Sequence, residues 1–191
     1  RELDFKLQRS KGFAAQVFGY KNNLDEVKWP NKNCKIGIIT SGKSYNDVRE
    51  ALRWLNIDKE KAEKLGICLY KIGMPWPLEP NGIRSFCEGL EHVLVIEEKR
   101  ELIEHQIKWQ LYNWKQNVRP KVTGKYDEGG DFQLPPENDL PLSTIVEVVA
   151  KNLYQSTQDK ELLEKLEWFK NKGFKKESNS PPLERKIFFC S

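Results

Sequence analysis

Soft metal ligands, long apolar runs and an excess of one charge are all scarce in this chain. Of 191 residues, four are cysteine, two histidine and one methionine. No two of Cys34, Cys68, Cys87 and Cys190 form a C-x-x-C pair, and only His92 and His105 could join them. A zinc or iron–sulfur site built from this chain alone is therefore not expected. The expectation for the thiols is the reduced state of a cytosolic protein. No apolar run approaches the roughly 18 residues that span a bilayer. The amino end, Arg1-Glu2-Leu3-Asp4-Phe5-Lys6, lacks the apolar core of a signal peptide. The 32 Lys+Arg and 28 Asp+Glu leave a net charge of +4, and bases alternate with acids instead of forming a basic block. This is a mixed surface and not a nucleic-acid footprint. Collagen-like, disulfide-scaffold, membrane and nucleic-acid-binding classes are set aside. A chain that is 38% hydrophobic and 31% charged remains, long enough for one domain with a real core.

The periodicity places strands at Ile36–Thr40, Ile67–Ile72 and His92–Ile96, and a weaker one at Pro120–Thr123. The unbroken Val93-Leu94-Val95-Ile96 run suits a strand buried on both faces. Tyr45, Val48, Leu52 and Leu55 form one face of a helix starting at Ser44, with Ser44 and Asp47 as a capping pair. Lys59–Leu65 is a second helical piece closed by Gly66. A short helix covers Ile83–Glu88. Lys99–Trp114 is a long helix, with Ile103, Ile107, Leu111 and Trp114 as its apolar stripe and Glu104–Lys108 as an i,i+4 pair. Helices over Ser143–Tyr154 and Asp159–Asn171 follow an irregular stretch at 124–141, and the Lys/Ser/Pro-rich tail at 172–186 reads as flexible. Alternating strands and helices predict an α/β fold, an open and mostly parallel sheet covered on both faces. Ligands of such sheets bind outside the carboxyl ends of the strands. Three loops lie there: Thr40–Ser44, Gly73–Pro77 and Glu97–Arg100.

Gly37-Ile38-Ile39-Thr40-Ser41-Gly42-Lys43-Ser44 fits the P-loop expression letter for letter. That loop needs a strand ending at its first glycine. Here Asn31 to Lys35 is poor strand material, and the β-branched Ile38 and Ile39 fall inside the supposed loop. The preferred reading keeps Gly37 within a strand and leaves Ser41-Gly42-Lys43 to turn, so NTPase chemistry is a minor alternative. The amino terminus of the following helix beside Lys43 could attract an anion, with Gly42, Lys43, Ser44 and Arg100 as candidate ligands.

Four segments in order carry a resemblance: Gly37 to Tyr45; Gly66-Ile67-Cys68-Leu69-Tyr70-Lys71-Ile72-Gly73-Met74-Pro75-Trp76-Pro77-Leu78-Glu79; Val95-Ile96-Glu97-Glu98-Lys99-Arg100 with Leu102-Ile103-Glu104; and Arg119-Pro120-Lys121-Val122-Thr123-Gly124-Lys125. From about Ala14 to Ser191 the chain resembles indolepyruvate:ferredoxin oxidoreductases in their large single-chain bacterial form, members of the thiamine-diphosphate-dependent 2-oxoacid:ferredoxin oxidoreductases. The matching part resembles the carboxyl-terminal domain of transketolase. The resemblance implies a three-layer α/β/α unit with a mixed five-stranded sheet, whose antiparallel strand is expected at Ala14–Phe18. It implies a parent enzyme that oxidatively decarboxylates aryl or branched 2-oxoacids to acyl-CoA. That enzyme would use thiamine diphosphate with magnesium, iron–sulfur clusters, coenzyme A as co-substrate and ferredoxin as electron acceptor.

This chain shows neither the cluster-binding cysteine spacing nor the G-D-G…N motif that holds the diphosphate. No catalytic residue and no metal ligand is carried over, and no cofactor is expected within it. In the family, Phe-Cys-Ser leads into a further domain, so Phe189-Cys190-Ser191 is expected to mark an excised fragment. Residues 1–33 are then a lead-in, 34–125 the α/β core, and 126–191 a loop, helices and linker. The expected role is structural and assembly-related, with Met74, Trp76 and Glu97 as contact candidates among other domains of the parent chain. Trp29, Trp76, Trp109 and Trp114 are more tryptophan than the core needs, although Trp109 and Trp114 read as core on the helix stripe. A homo-oligomer in the cytoplasm, without nucleic-acid or membrane partners, is expected.

Overall fold

A computed structural model describes residues 1–137 and 139–172, with side chains for all of these except 8 and 170–172. The expected flexible tail and Cys190 lie outside the described residues. Three helical stretches open the chain: α1 (Glu2–Lys6), a π-helical segment (Leu7–Lys11) and α2 (Gly12–Lys21). Then come β1 (Glu26–Trp29), β2 (Ile36–Ser41), α3 (Gly42–Trp54), α4 (Lys59–Leu65), β3 (Ile67–Ile72), α5 (Pro80–Cys87), β4 (His92–Ile96), α6 (Leu102–Leu111), β5 (Lys121–Thr123), α7 (Leu142–Thr157) and α8 (Lys160–Lys172). The sheet order is β1-β3-β2-β4-β5, parallel except for β1.

Residues alternate across the central strands, so Ile38 and Ile39 feed two different cores. Ile38, Leu69 and Leu94 pack with Val48 and Leu52 of α3 and Val149 of α7. Ile39, Tyr70 and Val95 pack with Ile83 of α5 and Ile103 and Ile107 of α6. Helices thus cover both faces of the sheet, the three-layer α/β/α arrangement expected, and every residue of β4 is buried. Gly37 is required in β2 because a Cβ there would stand 2.7 Å from both Leu90 and Phe86.

Several local expectations change. The antiparallel strand is β1, paired Glu26↔Lys71 and Val27↔Tyr70, while Ala14–Phe18 lies inside α2. Glu26-Val27-Lys28-Trp29 alternates polar and apolar, as an edge strand with one wet face must, whereas Ala14-Ala15-Gln16 is helix-forming. Helix α3 begins at Gly42, two residues early, so Ser44 is buried inside it and does not cap it. Asp47 instead receives a hydrogen bond from Lys43. Gly66 does close α4, in the left-handed conformation (φ 72°, ψ 33°). Helix α6 is shorter than expected at both ends. Cys34 and Cys68 are joined as a disulfide, not reduced, with Cα atoms 6.0 Å apart. The lead into β2 is held against the start of β3: the Lys35 and Ile36 N–H groups both donate to the Gly66 carbonyl, two residues before Cys68.

Candidate functional site

Successive parallel strands part company at β2, with β3 on one side and β4 on the other. The crevice at the carboxyl ends of β2 and β4 is therefore the place where such sheets bind ligands. Residues 37–40 are paired with β3 and β4 on both sides, so the first half of the P-loop expression is extended strand and cannot wrap a phosphate. Gly42 turns the chain with φ +53° and open space around it. Lys43 then spans the crevice, its Nζ 2.7 Å from Asp47 Oδ2 and 3.0 Å from Glu98 Oε1. These two carboxylates push the Lys43 pKa upward. Arg100 is exposed and is not among Lys43's partners. The structure thus brings Lys43 to an acid of the Glu97–Arg100 loop, while Ser44 is turned inward.

Beneath this edge lies a buried polar clamp. Glu97, 6% exposed, accepts backbone N–H bonds from Ile103 (2.8 Å) and Glu104 (2.9 Å). It thereby caps α6 from five residues upstream of Leu102, which explains the helix's late start. Burial pushes its carboxyl pKa up, partly offset by those N–H bonds. Lys125, 1% exposed, donates from Nζ to the Glu97 carbonyl at 2.6 Å. Burial lowers its pKa. Its own N–H donates to Glu104 Oε2 at 2.8 Å, and Lys108 Nζ reaches Glu104 Oε1 at 2.6 Å. A Cβ at Gly124 would sit 2.2 Å from that same Glu104 Oε2. The clamp joins the ends of β4 and β5 to α6. Sequence reasoning gave Lys125 no role; the Glu104–Lys108 pair it expected does form, with Glu104 buried. The Gly124-Lys125 pair directly after a strand was the available signal.

The Gly73–Pro77 loop is anchored as firmly. Asp25 Oδ1 accepts from the N–H groups of Gly73 (2.8 Å) and Met74 (3.2 Å). Gln106 of α6 accepts from Leu78 N–H and donates to the Pro75 carbonyl, both at 2.8 Å. Between these ties Trp76 is 67% exposed. Leu102 and Trp109, one turn to either side of Gln106, are 45% and 79% exposed. Of the expected contact residues, then, Trp76 faces outward, Met74 is half-buried and Glu97 is buried. Trp109 leaves the core expected for it because it sits two residues, about 200°, beyond the inward Ile107. Trp114 and Trp29 do pack, half-buried, against the two cores.

The described cysteines do not fit an iron–sulfur cluster. Cys34 and Cys68 are bridged and Cys87 is buried alone, and among the described residues no three His, Cys, Asp or Glu side chains converge to hold a metal. No chemical step is routed through a cofactor here. No helix among the described residues is long and apolar enough to cross a membrane.

Fold and edge together define a three-layer α/β/α domain with an ion-paired strand-end crevice and a braced, aromatic loop. The chain belongs to the indolepyruvate ferredoxin oxidoreductase middle domain family, whose model matches residues 23–169. It is 34% identical over 141 residues to indolepyruvate oxidoreductase subunit IorA of Pyrococcus horikoshii, covering 72% of this chain and 19% of that one. The same subunit from Thermococcus kodakarensis is 33% identical over 122 residues, covering 64% of this chain and 16% of its own length. The chain thus spans less than a fifth of the length of the curated relatives it matches, from 13% to 19%. Two solved structures are also similar. A 2-oxoglutarate:ferredoxin oxidoreductase from Magnetococcus marinus has a TM-score of 0.43 at 20% identity, covering 74% of this chain and 23% of that one. A split-gene transketolase has 0.45 at 14% identity, covering 69% and 42%.

Proposed function

We propose that this chain is a non-catalytic structural and assembly domain of a 2-oxoacid:ferredoxin oxidoreductase of the indolepyruvate type. The parent oxidatively decarboxylates aryl or branched 2-oxoacids to acyl-CoA, consuming coenzyme A and passing electrons to ferredoxin. Its thiamine diphosphate, magnesium and iron–sulfur clusters are held by parts of the enzyme outside this chain. The middle-domain family match supports the parent. The exposed face built from Trp76, Leu102 and Trp109 carries the assembly role. Tryptophans dominate the energetics of protein contacts. A loop already pinned by Gln106 and Asp25 loses little conformational freedom on docking. The partners on this face are other domains of the parent chain, within a cytoplasmic homo-oligomer that engages neither nucleic acid nor membrane.

The test replaces Trp76 and Trp109 by Ala, separately, in the parent enzyme and in the 191-residue chain. The parent is expected to lose assembled species on size-exclusion chromatography. The isolated chain should keep its stability within about 0.5 kcal/mol, as surface substitutions do. Normal assembly of both variants, or unfolding of the isolated chain, refutes the proposal.

A further inference from the structure

A cavity of about 570 Å³ opens along the β1–β3 edge, walled by α2, β1, β3 and α5. That volume suits a small-molecule ligand. Its charged lining is lopsided: Asp25, Glu79 and Glu88 stand against Lys32 alone, in a chain whose net charge is +4. None of these three carboxylates has a salt-bridge partner among the described residues. The Glu79 oxygens are spent on capping α5, accepting from Asn81 and Gly82 N–H at 2.9 and 2.6 Å. Asp25 differs. Its Oδ1 holds the Gly73–Met74 turn, while its Oδ2 is buried with no donor.

A second, independent group on the same wall is also unpaired. Tyr70 is only 4% exposed, lines this cavity, and its hydroxyl makes no hydrogen bond among the described residues. Its oxygen lies 2.6 Å from where a Cβ on Gly82 would stand. Gly82, another lining residue, is thus the glycine that leaves this hydroxyl its room. A buried polar atom such as Asp25 Oδ2 is ordinarily satisfied, and its unmade hydrogen bond costs the full desolvation of the group; the Tyr70 hydroxyl oxygen is not itself fully buried and stays open to the cavity. Aromatic surface completes the wall: Tyr20 and Phe86 line it, and the Phe86 ring is 4.7 Å from that of Tyr70. Rings beside carboxylates attract cations. A divalent metal fits poorly, because no three ligating side chains converge among the described residues.

We infer that this cavity binds an organic ammonium ion, its charge held beside the Asp25 carboxylate, an N–H donated to the Tyr70 hydroxyl and its carbon skeleton lying against Tyr20 and Phe86. The ammonium comes either from a free amine or from a lysine side chain of the remaining parent polypeptide.

The probe is 2-phenylethylammonium, titrated into the 191-residue chain and followed through the backbone amide signals of Asn81 and Gly82. Saturable one-site binding with Kd of about 1 mM or tighter is expected. Neutral 2-phenylethanol, of the same shape, should not bind. Asp25→Asn and Tyr70→Phe should each weaken binding about tenfold. Asn keeps the Oδ1 acceptor and Phe keeps the ring, and unchanged circular dichroism confirms that both variants fold. No saturable shift up to about 10 mM ammonium, equal binding of the alcohol, or folded variants that bind normally overturns the inference. The parent enzyme then separates the two sources: binding there as well identifies a free amine, and binding confined to the short chain identifies a lysine side chain. The alcohol comparison uses the unmutated chain, so it stands whether or not the assembly proposal does.

Discussion

His92 provides a sharp pH prediction. It sits on β4 with 6% exposure, its Nε2 2.8 Å from Thr123 Oγ1 and its Nδ1 3.5 Å from Ser156 Oγ. Burial, reinforced by the Lys121 charge and only partly offset by Glu128, pushes its pKa down from 6.5 to about 4. Between those values the unfolded chain binds the proton and the folded chain does not. Stability is therefore fully present above about pH 6.5 and is lost as pH falls toward 4. At 1.36 kcal/mol for each tenfold change in proton affinity, the fall from 6.5 to about 4 amounts to about 3 kcal/mol. Below about pH 4 both states are protonated and the loss levels off. Asp25 and Glu97, whose carboxyl pKa values burial raises, act in the opposite direction, favouring the folded state as pH falls. They are common to a His92→Gln variant, so the difference between wild type and variant isolates the imidazole. Urea unfolding followed by tryptophan fluorescence from neutral pH down to about 4 should show that difference changing by about 3 kcal/mol. A difference constant within about 0.5 kcal/mol refutes the reasoning. So does an imidazole titration midpoint near the unperturbed 6.5.

Glu97→Ala removes both carboxylate caps of α6 and should cost about 2–3 kcal/mol in urea unfolding, with Glu97→Gln costing less because one acceptor survives. Gly73→Ala drives a Cβ to 2.2 Å from the Leu24 carbonyl oxygen, a backbone atom that cannot step aside. About 3 kcal/mol of destabilisation is expected, together with displacement of the Trp76 loop, read by amide shifts at Met74. Lys43→Ala breaks two pairs whose lysine side chain is 54% exposed and should change stability by less than about 1 kcal/mol. Calorimetry of the unmutated chain with coenzyme A should give no heat, because Asp47 and Glu98 already occupy that ammonium; measurable heat lost in the Lys43 variant would revive the anion reading.

Much of this architecture was legible in the sequence because it rests on local patterns. Apolar runs marked β2, β3 and β4, the helical repeat from Tyr45 to Leu55 marked α3, and Gly66 marked the end of α4. The loops at the strand ends were located for the same reason, since strand boundaries imply where they lie. The rejection of a phosphate loop also came from chain-local evidence: β-branched Ile38 and Ile39 belong in a strand, and a strand is where they are.

Other features depend on distant residues meeting. Edge-strand pairing with Lys71 and Tyr70 makes Glu26–Trp29 the antiparallel member; its short alternation and the helix-forming Ala14-Ala15-Gln16 are weak signals until β3 supplies the partner. Lys125 reads as a surface lysine until β4, α6 and the Pro135 carbonyl close over it. The Cys34–Cys68 bridge needs the β2–β3 register. The unpaired oxygen of Asp25 and the open hydroxyl of Tyr70 share a wall only because β1 folds back on β3. Secondary structure and the strand-end loops were thus written in short-range patterning, which depends on side-chain spacing alone. The clamp, the bridge and the acidic cavity were decided by tertiary packing, because burial, hydrogen-bond satisfaction and desolvation are set by neighbours remote along the chain.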